Sequence, residues 1–193
     1  QKPAEVVKSY KIGFFALGDK DVQSANLVAF KKQMEKMGLK EGVNLTYVVE
    51  KGDRNVVGDL ARAAKKLNES NLDIILTGGT TATTELKKLS DLKTRVFFLN
   101  DARPSANVKN LSVPEGFITG MADGTVVLAG KRLEFLKQLV PGMKRVGSII
   151  EKGHPTGQAT KAALVEAAKT LNIEMVFIET DPGQYKQVLD KLN

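Results

Sequence analysis

Short apolar runs rich in β-branched residues alternate with helical patterns along almost the whole chain, and this alternation constrains the fold more than any single motif. Residues 10–17, 44–50, 72–77 and 95–99 read as strands, with 117–120 as a short fifth. Helices are predicted over 22–37, with Leu27, Phe30, Met34 and Met37 on one face, over 55–68 and over 80–89. A longer helix over 125–139 closes at Pro141-Gly142, and the rhythm then restarts with strand 145–150, helix 157–171, strand 174–179 and a helical segment 185–192. Strands separated by helices at this spacing form right-handed crossovers and a mostly parallel sheet. The expected fold class is α/β: a doubly wound parallel sheet lobe, residues 1–121, followed by part of a second α/β lobe, residues 122–193.

The second lobe offers only two strands, and a sheet that thin leaves apolar faces and edges without cover. The expectation is that about half of this lobe is absent from the chain as given, or that a partner chain completes its sheet.

Composition narrows the function. Of 193 residues, 42% are apolar and 26% charged, enough for a buried core. The net charge of +7 comes from basic residues such as Lys31-Lys32, Lys65-Lys66 and Lys87-Lys88, which stand mostly beside acids. No basic run carries interleaved aromatics, so they read as solvated helix faces and no nucleic-acid partner is expected. The absence of cysteine removes thiol nucleophiles, disulfides and cysteine zinc sites. No apolar run reaches the length of a membrane span. The opening Gln1-Lys2-Pro3-Ala4-Glu5 lacks the apolar core of a signal peptide, so an exported protein would have lost its signal.

Enzyme signatures are missing. The first strand ends Ala16-Leu17-Gly18 without a G-x-G-x-x-G turn, Gly78-Gly79-Thr80-Thr81 lacks the end of a P-loop, and no G-x-S-x-G elbow occurs. One histidine and no cysteine leave no nucleophile with its base. Acidic residues are scattered at helix-surface spacing, so neither metal nor cofactor is expected.

The segment 73–85 carries the strongest binding signal: an apolar strand runs into Gly78-Gly79 and then into Thr80, Thr81, Thr83 and Thr84 at a helix start. Two residues without Cβ let a ligand approach the main chain. The helix begins with unpaired N–H groups and the positive end of its dipole, which suit a carboxylate or phosphate. The same threonines can equally cap and solvate a turn. In open parallel sheets ligands bind beyond the carboxyl ends of the strands. That rule gathers the segments 17–21, 51–54, 78–81, 100–103 and 152–156 around a cleft between the lobes.

These residues also carry a resemblance. Lys11-Ile-Gly-Phe-Phe15 precedes a long helix ending Met37-Gly-Leu-Lys-Glu-Gly-Val-Asn-Leu-Thr46. Leu72-Asp-Ile-Ile-Leu76 leads to Thr80-Thr-Ala-Thr83, Asn100-Asp101 follows the fourth strand, and Ile118-Thr-Gly120 and Leu139-Val-Pro-Gly-Met-Lys-Arg-Val-Gly147 come in order after them. In this order the chain resembles the bacterial ABC-transporter substrate-binding proteins related to the tryptophan/tyrosine importers. The resemblance implies the periplasmic-binding-protein type I fold and capture of a small, amino-acid-like solute for a membrane permease. It further implies a periplasmic or extracellular site of action, with or without a lipid anchor. Two features depart from the family pattern: Ala102-Arg103 stand between Asp101 and Pro104, where the family places proline directly after the aspartate, and Glu151-Lys152-Gly153-His154 replaces its usual asparagine.

The candidate ligand residues are Leu17, Asp19, Gly79, Thr80, Thr81, Asn100, Asp101, Arg103 and His154. Thr80 and Thr81 would hold an acidic group with their N–H groups and a hydroxyl. Asp101 would accept from an ammonium, and Arg103 would pair with a carboxylate in bidentate fashion, though each is equally readable as a surface charge. Asp21 reads as a stabiliser of its helix N-terminus. The same bilobed module also serves as the ligand-reading domain of regulators and receptors, which a fused DNA-binding or kinase segment would reveal.

Overall fold

A computed structural model describes residues 8–113, 116–154, 156–181 and 183–190. The chain divides into two compact units, the first ending at Asp123 and the second beginning at Gly124. The first contains β1 (Tyr10–Ala16), α1 (Asp19–Val22), α2 (Ala25–Lys36), β2 (Leu45–Lys51), α3 (Asp59–Glu69), β3 (Ile74–Thr77), α4 (Thr80–Lys87), β4 (Val96–Asp101) and β5 (Ile118–Ala122). Its five strands are all parallel and lie in the order β2-β1-β3-β4-β5.

β1 lies inside the sheet between β2 and β3, and its residues 12–16 are buried on both faces, which is why that stretch reads as an apolar run. Successive side chains point to opposite faces of a strand. Phe15 therefore packs with Leu67, Ile75 and Leu86 under α3 and α4, whereas Phe14 packs with Leu27 and Leu76 under α2. All seven side chains are at most 1% exposed. Burial on this scale contributes about 1.5–3 kcal/mol for each such side chain.

The second unit holds α5 (Ala129–Leu139), β6 (Arg145–Glu151), α6 (Gly157–Leu171), β7 (Glu174–Thr180) and α7 (Tyr185–Asp190). β6 and β7 form a two-stranded parallel sheet. Its small core joins Leu133 of α5 to Ala168 and Ile173.

Several boundaries differ from the sequence reading. The helix expected over 22–37 is two helices, broken at Gln23-Ser24, where Ser24 Oγ accepts from the Leu27 N–H at 3.4 Å and restarts the helix as an N-cap. Met37, placed on the buried face by periodicity, caps the end of α2 and is 65% exposed. α3 begins at Asp59 rather than near 55, because Gly58 adopts φ 81° and turns the chain into it. β3 begins at Ile74, and α5 at Ala129 rather than 125. β4 continues over Asn100 and Asp101, read as loop from sequence, because Asp101 still pairs with Ala122 of β5 after a register shift. The end of the helix expected over 185–192 lies partly outside the described residues.

Candidate functional site

The carboxyl ends of β1, β3 and β4 converge on the start of α4. Thr80 begins that helix, and its N-cap, Gly79, is extended and supplies no side-chain cap. Asn100 approaches so closely that a Cβ on Gly79 would lie 3.3 Å from its carbonyl oxygen. No side chain can be accommodated there without displacing the backbone of β4.

Below this contact lies a hydrogen-bonded cluster. The Asp101 carboxylate is fully buried. Its Oδ1 accepts from the Thr80 hydroxyl at 2.5 Å and from the Arg103 N–H at 2.8 Å, and its Oδ2 accepts from Asn107 Nδ2 at 2.7 Å. Asn107 Oδ1 in turn accepts from the Thr84 hydroxyl at 3.1 Å, and Lys87 Nζ donates to the Ala106 carbonyl at 2.5 Å. Three donors around one carboxylate satisfy a charge that would otherwise be costly inside the protein. Thr77 and Thr83, both fully buried, share a hydroxyl hydrogen bond of 2.7 Å and hold α4 to the strand before it.

This arrangement corrects the reading of Asp101 as a direct acceptor for a ligand ammonium: the side chain points inward and organises the loop. The Thr80 hydroxyl is likewise turned to Asp101, which leaves the backbone N–H groups of Thr80 and Thr81 as the donors at the head of α4. The α4 dipole places partial positive charge at that spot.

Asp19 lies apart from the cluster, 82% exposed and 2.5 Å from Lys51 Nζ. The hydrogen bond from Lys51, with its charge, holds the Asp19 carboxyl below the usual aspartate range. The Leu17 N–H is bound by Asp21 Oδ2 at 2.8 Å, and Leu17 packs against the core beneath α3 and α4. Arg103 is half-buried, and its Nε is enclosed without a hydrogen-bond partner. Leu17, Gly79, Thr80, Thr81, Asn100, Asp101 and Arg103 thus lie at one edge of the first sheet.

His154 belongs to the second unit. Its Nδ1 lies 2.8 Å from the Thr156 hydroxyl, at a hollow of about 220 Å³ that Glu151, Thr160 and Tyr185 also line. The Tyr185 hydroxyl donates to Glu151 Oε2 at 2.5 Å.

Sequence reasoning missed Asn107, whose place in the cluster arises from tertiary contacts that nothing local marks; Thr84 was read as a hydroxyl of the helix start, and its partner Asn107 emerges only in the fold. Among the described residues no group of three or more His, Cys, Asp or Glu is placed to hold a metal ion, and no helix is long and apolar enough to cross a membrane.

Comparison with known proteins agrees with this architecture. A family model described as ABC transporter substrate binding protein matches residues 11–181. No curated protein matches the chain by sequence. Among solved structures, a conserved domain protein from Vibrio cholerae O1 biovar El Tor superposes with a TM-score of 0.77 at 18% identity, over 90% of this chain and 58% of its own. An ABC domain from Streptococcus pneumoniae in complex with L-Trp gives 0.70 at 18% identity, over 90% and 58%. A fatty acid ABC transporter substrate-binding protein from Thermomonospora curvata gives 0.66 at 17% identity, over 100% and 50%. The chain therefore spans 50–58% of the length of these structures. Identities this low carry the fold, which is that of the periplasmic-binding-protein type I proteins.

Proposed function

From the premise that this chain belongs to the ABC transporter substrate binding protein family, matched over residues 11–181, we propose that it captures a small amino-acid-like solute for delivery to a membrane permease. It does so outside the cytoplasm and without chemical turnover of the solute.

The observation that carries the reading is the head of α4. Gly79 offers no side-chain cap, and the Thr80 hydroxyl is committed to Asp101, so the first N–H groups of the helix are left for an outside partner. Such a site favours a carboxylate, since main-chain donors and the helix dipole act on it together. Asp101, Asn107 and Thr84 brace the helix against the loop after β4. The donors are thereby fixed before a ligand arrives, which lowers the ordering cost of binding. One structural neighbour is described in complex with L-Trp and another as a fatty acid ABC transporter substrate-binding protein, and both an amino acid and a fatty acid present a carboxylate.

The test is thermal denaturation of the full chain against a panel of L-amino acids, simple carboxylic acids, sugars and phosphates. A carboxylate-bearing solute at a hundredfold excess over its Kd should raise the melting temperature by roughly 5–10 °C and be recovered unchanged. Stabilisation by sugars alone, or conversion of the bound solute, would overturn the proposal.

A further inference from the structure

We infer that the free edge of β6 is an acceptor for one more strand: a parallel strand of further polypeptide from the same family, which extends the sheet of the second unit on the side away from β7. This edge is independent of the solute-binding reading above.

The two units open alike. Lys11-Ile12-Gly13 stands near the start of β1 and Arg145-Val146-Gly147 at the start of β6, and each strand pairs in parallel with the next one, β2 or β7. β1 uses its main chain on both edges. On the β2 side the Tyr10 N–H donates to the Asn44 carbonyl and the Ala16 carbonyl accepts from the Gly52 N–H; on the β3 side the Lys11 carbonyl accepts from the Asp73 N–H. The main-chain groups of successive strand residues alternate between edges, so Gly13 and Phe15 serve β3. In β6 the Lys144 carbonyl accepts from the Glu174 N–H and the Lys152 N–H donates to the Thr180 carbonyl, which commits Val146 and Ser148 to β7. Gly147 and Ile149 therefore face the other edge, where no strand lies among the described residues. Unpaired strand donors and acceptors in a row are a template for another strand.

Side-chain space repeats the contrast. A Cβ on Gly13 would meet Leu72 at 2.5 Å, Leu67 at 3.0 Å and Ile75 at 3.4 Å, because α3, β3 and the residue leading into β3 fill that space. At Gly147 the matching space is open, with nothing within 4 Å. α5 packs chiefly on α6, where a Cβ on Gly130 would lie 3.1 Å from Ala167 Cβ, and it leaves Phe135 and Leu139 52% and 80% exposed. A two-stranded sheet with this much uncovered apolar surface is marginal on its own. The length of the structural neighbours identifies what completes it, since this chain covers only 50–58% of them. In the first unit the corresponding edge of β1 is filled by a parallel strand, β3. A second copy of this chain joined edge to edge by a two-fold axis would arrive antiparallel, so it does not reproduce that pairing.

The experiment compares amide hydrogen exchange in the 193-residue chain and in the product of its whole reading frame, with sedimentation to give the mass of each. In the 193-residue chain, monomeric in sedimentation, the Gly147 and Ile149 amides should exchange freely. In the longer product they should slow by roughly a hundredfold or more, whereas the Phe177 amide, on the outer edge of β7, should stay within about tenfold of its rate in the shorter chain. Unchanged exchange at Gly147 and Ile149, or protection gained at Phe177 in their place, overturns the acceptor edge. A reading frame that ends at Asn193, or a dimer of the 193-residue chain that already protects Gly147 and Ile149, overturns the occupant. None of these outcomes bears on solute capture, which the thermal panel decides separately.

Discussion

The Thr80 hydroxyl and Asp101 Oδ1 stand 2.5 Å apart, so two residues that look from sequence like separate ligand contacts are joined to one another inside the first unit. Their bond ties the first residue of α4 to the last residue of β4. The contact proposed for a solute at this end of the sheet is therefore main chain, and the Thr80–Asp101 bond holds that main chain in place.

Removing Asp101 should therefore damage stability before it damages anything else. Asp101→Ala leaves the Arg103 N–H, the Thr80 hydroxyl and Asn107 Nδ2 without their acceptor. Each unpaired buried donor costs about 1–3 kcal/mol, and partial relaxation brings the expected total to roughly 2–4 kcal/mol. Urea denaturation measures it; a loss below about 1 kcal/mol would mean that the cluster does not brace the loop.

Two glycines in strands should respond in opposite ways to alanine. At Gly120 in β5 a Cβ would meet the Phe98 carbonyl oxygen at 2.2 Å, a backbone atom of the adjacent strand that cannot step aside. At Gly147 in β6 nothing lies within 4 Å. Gly120→Ala is expected to cost about 3 kcal/mol and Gly147→Ala to stay within about 0.5 kcal/mol of wild type. Comparable losses for both variants in a chemical melt would contradict the packing described for β4 and β5.

Acid should erode stability through Asp59 in particular. Its carboxyl is held below the usual aspartate value, first by the hydrogen bond from Arg62 and then by that from the Asp53 N–H. A group whose folded pKa is depressed is charged more readily in the folded state, so its contribution is present above the unfolded value near 3.8 and is lost as pH falls through the lowered one. Asp59→Asn should flatten the fall in stability below about pH 4 and leave the slope near neutrality unchanged. An unaltered acid limb would show that the Arg62 contact does not persist in solution.

The layered α/β architecture was legible because parallel strands buried on both faces leave long apolar runs, and β1 with Phe14 and Phe15 is the clearest of them. Gly78 and Gly79 marked the turn for a local reason, their lack of Cβ. The break at Gln23-Ser24 was hidden because apolar spacing continues across it and only the Ser24 cap, a hydrogen bond, separates the two helices. The inward turn of Asp101 was hidden for a different reason. Its partners Thr80 and Asn107 are 21 and 6 residues away, and hydrophobic periodicity carries no record of which polar groups will meet. Asp21 stands in the first turn of its helix as read, and only its bond from the Leu17 N–H was hidden, because that donor belongs to the end of the preceding strand and not to the helix.

The central claim, that main-chain donors at the head of α4 receive a solute's anionic group, is tested most directly by amide nuclear magnetic resonance of the full chain during titration with a stabilising carboxylate. The account predicts that the Thr80 and Thr81 amide signals move together, saturate with the same affinity as the thermal response, and gain protection from exchange. Saturable shifts confined to other amides, with Thr80 and Thr81 unmoved, would contradict it.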